Sequence, residues 1–183
     1  KWNKVYNLTA LRNPQDMLTH HLLDSLALVA PLRRHLAQAG LAAGARLLDV
    51  GSGAGLPGAV VAIACPEVDV SCVDTVAKKA LFIQQVAAAL RLPNLHGLHA
   101  RVEHLTQIFD VVTSRAFASL ADFTAWSRGS LADGGVWLAM KGKMLHDEVA
   151  ALPPAVRVFH VEPLVVPGLA AERCLLWLRP GGH

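Results

Sequence analysis

The chain has 183 residues, of which 53% are hydrophobic and 17% charged, and its formal net charge is +3. This composition excludes intrinsic disorder and is sufficient for a hydrophobic core. No apolar run reaches the length of a membrane span, because Asp24 and Pro31 interrupt the longest one, and no secretory pattern opens the chain. The mild positive charge suits a polyanionic partner, although many proteins that bind none share it.

Two helices are expected first. Apolar spacing predicts a helix over residues 14–29 that Pro31 ends, and a second helix over residues 32–39 that stops at Gly40. These residues form a predicted N-terminal helical segment, 1–40, of a single domain whose core is 41–183. The first residue is not Met, so we expect the natural N-terminus to lie further upstream.

Beyond residue 40, predicted strands alternate with predicted helices. The strands cover residues 46–50, 69–74, 95–100, 110–114 and 136–141, and the helices cover 57–64, 77–92 and 120–131. Two further strands, 156–166 and 173–178, are expected to form an antiparallel hairpin at the sheet edge. The alternation predicts an α/β fold with a seven-stranded, mostly parallel sheet and helices on both faces.

Cysteine usage indicates the compartment. Cys65, Cys72 and Cys174 are odd in number and widely spaced, which argues against both a disulfide framework and a zinc cluster. Cys65 and Cys72 lie among apolar residues, as small buried hydrophobic residues do. We therefore expect no metal site and a reducing, cytoplasmic compartment.

A glycine-rich turn follows the first strand and opens a helix. Its glycines are Gly51, Gly53, Gly55 and Gly58. Glycines let backbone amides approach a ligand closely, and the N-terminus of a helix favours negative charge. The turn therefore predicts a nucleotide-type ligand site.

Two acidic residues bear on the identity of that ligand. Asp49 lies just before the turn, where its charge would repel the pyrophosphate of NAD but favour the ammonium and sulfonium of S-adenosylmethionine. Alternatively, Asp49 could have a structural role and accept hydrogen bonds from amides of the turn. Asp74 ends the next strand, where an acid can accept hydrogen bonds from a ribose, or can cap the following helix as Thr75 could. The residues alone thus favour S-adenosylmethionine and leave NAD open.

An ordered set of motifs resembles one family, the RsmG (GidB) family of 16S rRNA guanine-N7 methyltransferases. The resemblance runs from about Trp2 to Arg173, and His20 stands where the family often has an arginine. The motifs are Asn7-Leu-Thr9, His21-x-x-Asp24-Ser25, Asp49-Val-Gly-Ser-Gly-Ala-Gly-Leu-Pro-Gly58, Asp74 with Lys78-Lys79, Arg101-Val-Glu103, Ser114-Arg-Ala116 and Lys141-Gly142.

The resemblance implies a Rossmann-like class I methyltransferase fold, S-adenosyl-L-methionine as the donor, and 16S rRNA or the small ribosomal subunit as the partner. We further expect a monomer and no membrane partner. The residues expected to bind the cofactor are Asp49, Gly51, Gly53, Gly55, Leu56, Asp74, Val102, Glu103 and Arg115.

Guanine N7 carries a lone pair and no proton, so its methylation needs alignment rather than a general base. Arg115 follows a central strand, where it can contact the cofactor and the O6/N7 edge of guanine, or pair with Asp122. Lys141 also ends a strand, where it can hold a phosphate. We therefore expect Arg115 and Lys141 to be the catalytic residues, with Phe117 either stacking on a base or filling the core.

RNA contacts are expected from Arg101, Lys141 and Arg173. His21 and Asp24 are expected to pin the N-terminal segment, together with Asn7 and Thr9, against the glycine-rich turn. The alternatives left open are a methyltransferase that acts on another RNA, a protein or a small molecule, an NAD-dependent oxidoreductase, and a nucleotide-binding factor in ribosome assembly.

Overall fold

One seven-stranded sheet organises the chain in this computed structural model, which describes residues 18–115, 117, 119–143 and 146–181. The expected contacts of Asn7 and Thr9 lie outside the described residues. The strands are β1 (Arg46–Val50), β2 (Asp69–Asp74), β3 (Leu95–His99), β4 (Phe109–Ser114), β5 (Leu131–Lys141), β6 (Val156–Pro163) and β7 (Cys174–Pro180).

The strand order is β3-β2-β1-β4-β5-β7-β6. β1 to β5 run parallel, and β7 pairs antiparallel with both β5 and β6. The predicted sheet of seven mostly parallel strands is confirmed, including the antiparallel pair at its edge. Because β4 continues the sheet on the opposite side of β1 from β2, the topology has a switch point between β1 and β4.

Helices cover both faces of the sheet. They are α1 (Asp24–Leu26), α2 (Val29–Gln38), α3 (Gly58–Ala64), α4 (Ala77–Leu90), α5 (Leu120–Ser127) and α6 (His146–Ala150). A π-helical turn, Leu18–Leu23, precedes α1, and short 3₁₀ turns occur at Val102–His104 and Arg128–Ser130. Within the described ranges, no helix combines the length and the apolar character that crossing a bilayer requires.

Two hydrophobic clusters, one on each face, hold the layers together. In β1, Leu47 packs with residues of α2, α3 and α4, whereas its neighbour Leu48 packs with Phe123 of α5. Successive side chains of a strand point to opposite faces, so this short strand contributes to both clusters. Asp49 therefore points to the same face as Leu47, toward α3.

Several predicted boundaries differ from the structure. Pro31 does not end a helix: it lies in the first turn of α2, where a missing N–H costs no hydrogen bond. The predicted helix over 120–131 ends at Ser127, and Leu131 already belongs to β5. The strand expected over 136–141 after a turn at Gly134 and Gly135 already begins at Leu131, so both glycines lie within β5, where an irregularity in its pairing with β4 accommodates them.

Candidate functional site: a cavity and a pocket at the strand ends

The glycine-rich turn lies at the carboxyl end of β1, beside the topological switch point, where α/β sheets bind their ligands. Gly51, Gly53 and Gly55 have positive φ angles of 67°, 59° and 81°, a region that other residues rarely adopt. The Gly51 amide donates to the Val73 carbonyl oxygen over 2.9 Å. The turn is thereby fixed against the end of β2.

Asp49 stabilises this turn from its buried side. Its carboxylate is fully buried, and Oδ2 accepts a hydrogen bond of 2.8 Å from the Gly58 amide at the start of α3. A Cβ on Gly58 would overlap Cys72 Sγ and lie 2.9 Å from Asp49 Oδ2, so only glycine fits there. Burial raises the pKa of Asp49 to about 7, against the lowering effects of the Gly58 amide and the Arg115 charge.

Asp74 ties the turn to the end of β2. Its Oδ2 accepts from the Gly53 amide over 3.1 Å, and its Oδ1 accepts from the Val76 amide over 2.8 Å. Lys79 Nζ lies 3.5 Å from Oδ2. An ionised carboxylate has about four acceptor positions, so both oxygens keep a lone pair for a ligand hydroxyl. The two suggested roles of Asp74, capping and ligand binding, are therefore compatible.

A cavity of about 410 Å³ opens above Asp74, within the usual size of cofactor sites. We call it the nucleoside cavity. Of the residues expected to bind a cofactor, it brings together Gly51, Asp74, Val102 and Glu103. The complete lining is Val50, Gly51, Val73, Asp74, Thr75, Val76, Lys79, Ala100, Arg101, Val102, Glu103, Phe117 and Trp126.

The other expected cofactor ligands do not line this cavity. Asp49, Gly53, Gly55 and Leu56 shape or support the turn, and Arg115 points elsewhere. Arg101, expected to face RNA, lines the cavity instead and pairs with Glu103, with Nη2 2.9 Å from Oε1. The cavity therefore supports direct cofactor contact for Gly51, Asp74, Val102 and Glu103. The other residues of the turn are left with a supporting role.

Two aromatic rings form a wall of the nucleoside cavity, of which the sequence pointed to Phe117 but not to Trp126. Trp126 of α5 is 43% exposed at the cavity. Phe117 packs edge-on against it, with ring centroids 5.4 Å apart, and also contacts Phe123. Trp126 lies on a short amphipathic helix, where an aromatic residue is typical of the core. Only the proximity of α5 to the glycine-rich turn indicates a ligand role.

A second cavity, of about 380 Å³, lies among the ends of β4, β5 and β7 and the N-terminal turn. We call it the arginine pocket. Three of the cations expected to act in catalysis or RNA binding meet here, namely Arg115, Lys141 and Arg173. The complete lining is His20, His21, Asp24, Arg115, Met140, Lys141, Gly142 and Arg173.

Arg115 is held by the N-terminal turn. Its Nη1 donates to the His20 carbonyl oxygen over 3.1 Å and lies 3.4 Å from Asp24 Oδ2. Its Nη2 lies 3.2 Å from His21 Nδ1. Burial and the Arg115 charge lower the pKa of His21, which favours a neutral ring that accepts this hydrogen bond. The suggested pairing of Arg115 with Asp122 is wrong, because Asp122 bonds Ser119 at the start of α5.

The other two cations of the pocket are also paired. Arg173 Nε donates to Asp24 Oδ1 over 3.0 Å, and Lys141 Nζ lies 2.8 Å from Glu148 of α6. Asp24 therefore joins the N-terminal turn to the ends of β4 and β7. The expectation that it pins that segment against the glycine-rich turn is wrong, since its partners are Arg115 and Arg173. No group of three or more potential metal ligands occurs among the residues that the structure describes.

A profile of the family described as rRNA small subunit methyltransferase G (GidB) matches residues 1–176. The chain belongs to this family. It is 75% identical to the Ribosomal RNA small subunit methyltransferase G of Acidovorax sp. (strain JS42) over 184 residues, which cover 98% of this chain and 81% of that protein. It is 61% identical to the protein of the same name from Methylibium petroleiphilum (strain ATCC BAA-1232 / LMG 22953 / PM1) over 183 residues, which cover 100% and 81%.

Solved structures share the fold. A magnesium protoporphyrin IX methyltransferase (ChlM) from Synechocystis PCC 6803 with bound SAM aligns with a TM-score of 0.65 and 13% identity, over 97% of this chain and 89% of that one. TrmN from Thermus thermophilus aligns with a TM-score of 0.63 and 20% identity, over 93% and 55%. The predicted Rossmann-like methyltransferase fold is confirmed, and the family is one of methyltransferases, so the oxidoreductase alternative has no support.

Proposed function

We propose that this chain transfers a methyl group from S-adenosylmethionine to N7 of a guanine in 16S rRNA. The loop after β4 carries the proposal, because it contributes to both cavities. Phe117 lines the nucleoside cavity, while Arg115, two residues earlier, lines the arginine pocket. A methyl donor in the first cavity and an anionic substrate at the second would therefore meet at the end of one strand.

The chemistry of the nucleoside cavity suits the proposed cofactor. Asp74 offers acceptors to ribose hydroxyls, and the apolar side chains of Val73 and Val102 offer contact to a base. Asp49 Oδ1 is buried and has no hydrogen-bond partner among the described residues, so an unused acceptor oxygen lies beneath the turn. A bound cofactor would supply an electrophilic methyl group on a sulfonium.

The proposed reaction places few demands on the protein. N7 has a lone pair directed away from the guanine ring and loses no proton, so no residue has to act as a base. The protein must orient the guanine, exclude competing orientations and accommodate a cationic product. Arg115 can donate to O6 of the guanine, and Lys141 can hold a flanking phosphate. These two roles keep both residues as the proposed catalytic pair.

The substrate part of the proposal rests on the name that the relatives share and on the cations of the arginine pocket. Arg173 and Lys141 lie at that pocket, and Arg101 lies at the mouth of the neighbouring cavity. Phosphate contacts from such residues give RNA binding that weakens steeply with salt. We propose the small ribosomal subunit as the partner and a monomer as the active unit.

The test is transfer of a labelled methyl group from S-adenosylmethionine to small ribosomal subunits that lack the modification. The RNA is then cleaved by a reaction selective for N7-methylguanine. One labelled cleavage site in 16S rRNA is the expected result. Label in another RNA would point to a different RNA substrate. Cofactor binding without transfer to any RNA would favour a non-catalytic assembly factor or a small-molecule substrate, and would overturn the proposal.

A further inference from the structure

Asp24 occupies an unusual position for a carboxylate. It lies in α1, is 4% exposed, and accepts from two guanidiniums with different oxygens. Oδ2 lies 3.4 Å from Arg115 Nη1, and Oδ1 lies 3.0 Å from Arg173 Nε. The two arginines come from opposite sides of β5, at the end of β4 and just before β7. One buried anion thus links three parts of the chain at the proposed substrate site.

We propose that Asp24 is a positioning residue for methyl transfer: it fixes Arg115 and Arg173 in the orientation that an RNA phosphate and its guanine require. This inference rests on the proposed function. It concerns a residue that contributes no positive charge and that does not line the nucleoside cavity. It lines the arginine pocket, where its two oxygens are engaged by Arg115 and Arg173, so we expect its effect to reach the substrate through the two guanidiniums.

Burial separates this arrangement from an ordinary surface ion pair. The side chains of Arg115 and Arg173 are only 19% and 21% exposed, whereas those of the surface pair Arg34–Glu162 are 54% and 16% exposed. Hydrogen bonds to buried charged groups are stronger and more directional than exposed pairs, which contribute little. Both guanidiniums also donate to backbone oxygens, of His20 and Glu172 respectively. Arg173 is therefore held at Nε and Nη1, and Arg115 at Nη1 and, through His21, at Nη2.

The arrangement still leaves binding capacity for an anion. Three cations, Arg115, Lys141 and Arg173, face two carboxylates, Asp24 and Glu148, so one positive charge remains in excess. Arg173 uses Nε and Nη1, and its Nη2 has no hydrogen bond to any residue that the structure describes. A guanidinium fixed through one edge can present its remaining N–H groups to a phosphate with little loss of entropy.

Positioning and simple electrostatics predict opposite results for Asp24→Asn. The substitution removes one negative charge and so makes the net charge of the pocket more positive by one. Electrostatics alone therefore predicts tighter RNA binding and faster transfer at limiting RNA. Positioning predicts that RNA binding is kept or strengthened while transfer becomes slower, because two guanidiniums that have lost their shared carboxylate orient the substrate less well. The sign of the change in kcat/KM therefore distinguishes the two explanations.

The experiment measures methyl transfer, RNA affinity across salt concentrations and cofactor affinity for wild type, Asp24→Asn and Glu162→Gln. The control removes a carboxylate from the Arg34 pair and makes the same change in charge. We expect Asp24→Asn to lower kcat/KM by about 10- to 100-fold, the scale of a misplaced reacting group, with cofactor affinity unchanged. Glu162→Gln is expected to match wild type. An unchanged or raised kcat/KM in Asp24→Asn would overturn the inference.

A second measurement guards against misfolding and against failure of the proposed function. In the free protein, the Nε–H resonance of Arg173 reports how firmly Asp24 holds this guanidinium. We expect the Arg173 resonance to be protected from exchange in wild type and to lose that protection in Asp24→Asn. Equal protection in both proteins would also overturn the inference. Wild-type protein that methylates no RNA would reject the proposed function, and this measurement would still decide whether Asp24 holds Arg173.

A double-mutant cycle tests that Asp24 acts through Arg173. Arg173→Lys keeps the charge but loses the planar fork that Asp24 holds. If Asp24 works through this guanidinium, the double variant is expected to lose little more activity than the more impaired single variant. Additive losses would mean that the two residues act independently.

Discussion

The nucleoside cavity and the arginine pocket lie at the same edge of the sheet but are assembled by different means. The hydrogen bonds that shape the cavity join residues 2, 9 and 21 positions apart, from Asp74 to Val76, Asp49 to Gly58 and Gly53 to Asp74. Those that shape the pocket join Asp24 to residues 91 and 149 positions away. The hydrogen bonds around the glycine-rich turn thus lie in or directly after one βαβ unit, whereas the pocket requires the N-terminal turn to dock on the far half of the sheet.

This difference implies separable functions. The nucleoside cavity is shaped by backbone amides and by the carboxylates of Asp49 and Asp74, which suits a ligand with hydroxyl and cationic groups. The pocket is built around guanidiniums, which suit phosphate and the acceptor edge of a base. Variants in the nucleoside cavity should therefore change cofactor binding only, and variants in the arginine pocket should change only the interaction with RNA. The following variants test that separation or one of its causes.

The largest effect is expected at Asp49, as a change in the pH dependence of stability. In the folded protein the pKa of Asp49 is about 7, above the ordinary value of 3.8. Between these values the folded state binds the proton and the unfolded state does not. The stabilisation from Asp49 is thus complete below about pH 3.8 and is lost as pH rises through about 7, a difference on the order of 4 kcal/mol.

Denaturant unfolding of wild type and Asp49→Asn across this range checks the prediction. The free energy of unfolding of wild type should decrease relative to the variant as the pH rises. Asp133→Asn, which removes an exposed carboxylate from β5, should run parallel to wild type. Parallel curves for wild type and Asp49→Asn would mean that Asp49 titrates as an ordinary carboxylate and that burial does not raise its pKa in the folded protein.

Arg115→Lys is expected to have the next largest effect, on transfer rather than on cofactor binding. Lysine keeps the charge but cannot reproduce the fork that contacts His20, His21 and Asp24. We expect kcat/KM for RNA to fall about 100-fold, equivalent to about 2.7 kcal/mol, with cofactor affinity within about twofold of wild type.

Steady-state transfer and equilibrium dialysis measure the two quantities for Arg115→Lys. Arg128→Lys, an exposed arginine after α5, is the control and should retain both. A marked loss of cofactor affinity in Arg115→Lys would restore the original expectation that Arg115 binds the cofactor, and would weaken the separation between the two regions.

Asp74→Asn is expected to produce the opposite pattern. Its carboxylate holds the Gly53 and Val76 amides and faces the nucleoside cavity. An amide side chain offers one acceptor oxygen in place of two, so we expect cofactor affinity to fall about tenfold, or about 1.4 kcal/mol, while RNA affinity is unchanged. Calorimetric titration with cofactor measures the effect. Asp69→Asn, at the exposed start of the same strand, should bind like wild type; equal losses in both variants would argue against a specific role for Asp74.

The smallest effect is expected from the aromatic wall. Trp126→Leu keeps an apolar surface but removes ring contact with a bound base, which should weaken cofactor binding by about 0.5–1.5 kcal/mol. Phe159→Leu is the control, because Phe159 has a similar exposure of 41% but lies on the edge strand β6. An affinity equal to wild type in Trp126→Leu would place the base elsewhere in the cavity.

Prediction from sequence succeeded where the signal is local. The strand–turn–helix pattern at 46–64 specified the position of the glycine-rich turn, and Asp49 and Asp74 were both identified from their positions at strand ends. It failed where a local signal competes with pairing from elsewhere. Gly134 and Gly135 have the composition of a turn, yet β5 runs on through them, because it pairs with β4 both before them at Leu131 and after them at Val136.

The candidate site shows the same division. Arg115, Lys141 and Arg173 were each identified from strand ends, but their common pocket and their partners could not be predicted. Asp24 was assigned to the wrong neighbour, and Trp126 was missed, because nothing within a few residues of either indicates what it contacts.

The sequence by itself therefore determined the succession of strands and helices along the chain, the glycine-rich turn and the carboxylates beside it, because each is indicated by residues close together in the chain. Only the tertiary structure decided which side chains share a cavity. Long side chains reach across the ends of several strands, and their partners depend on strand order and on how the N-terminal turn packs. The pairing of Asp24 with Arg115 and Arg173 is a consequence of that packing and has no signature along the chain.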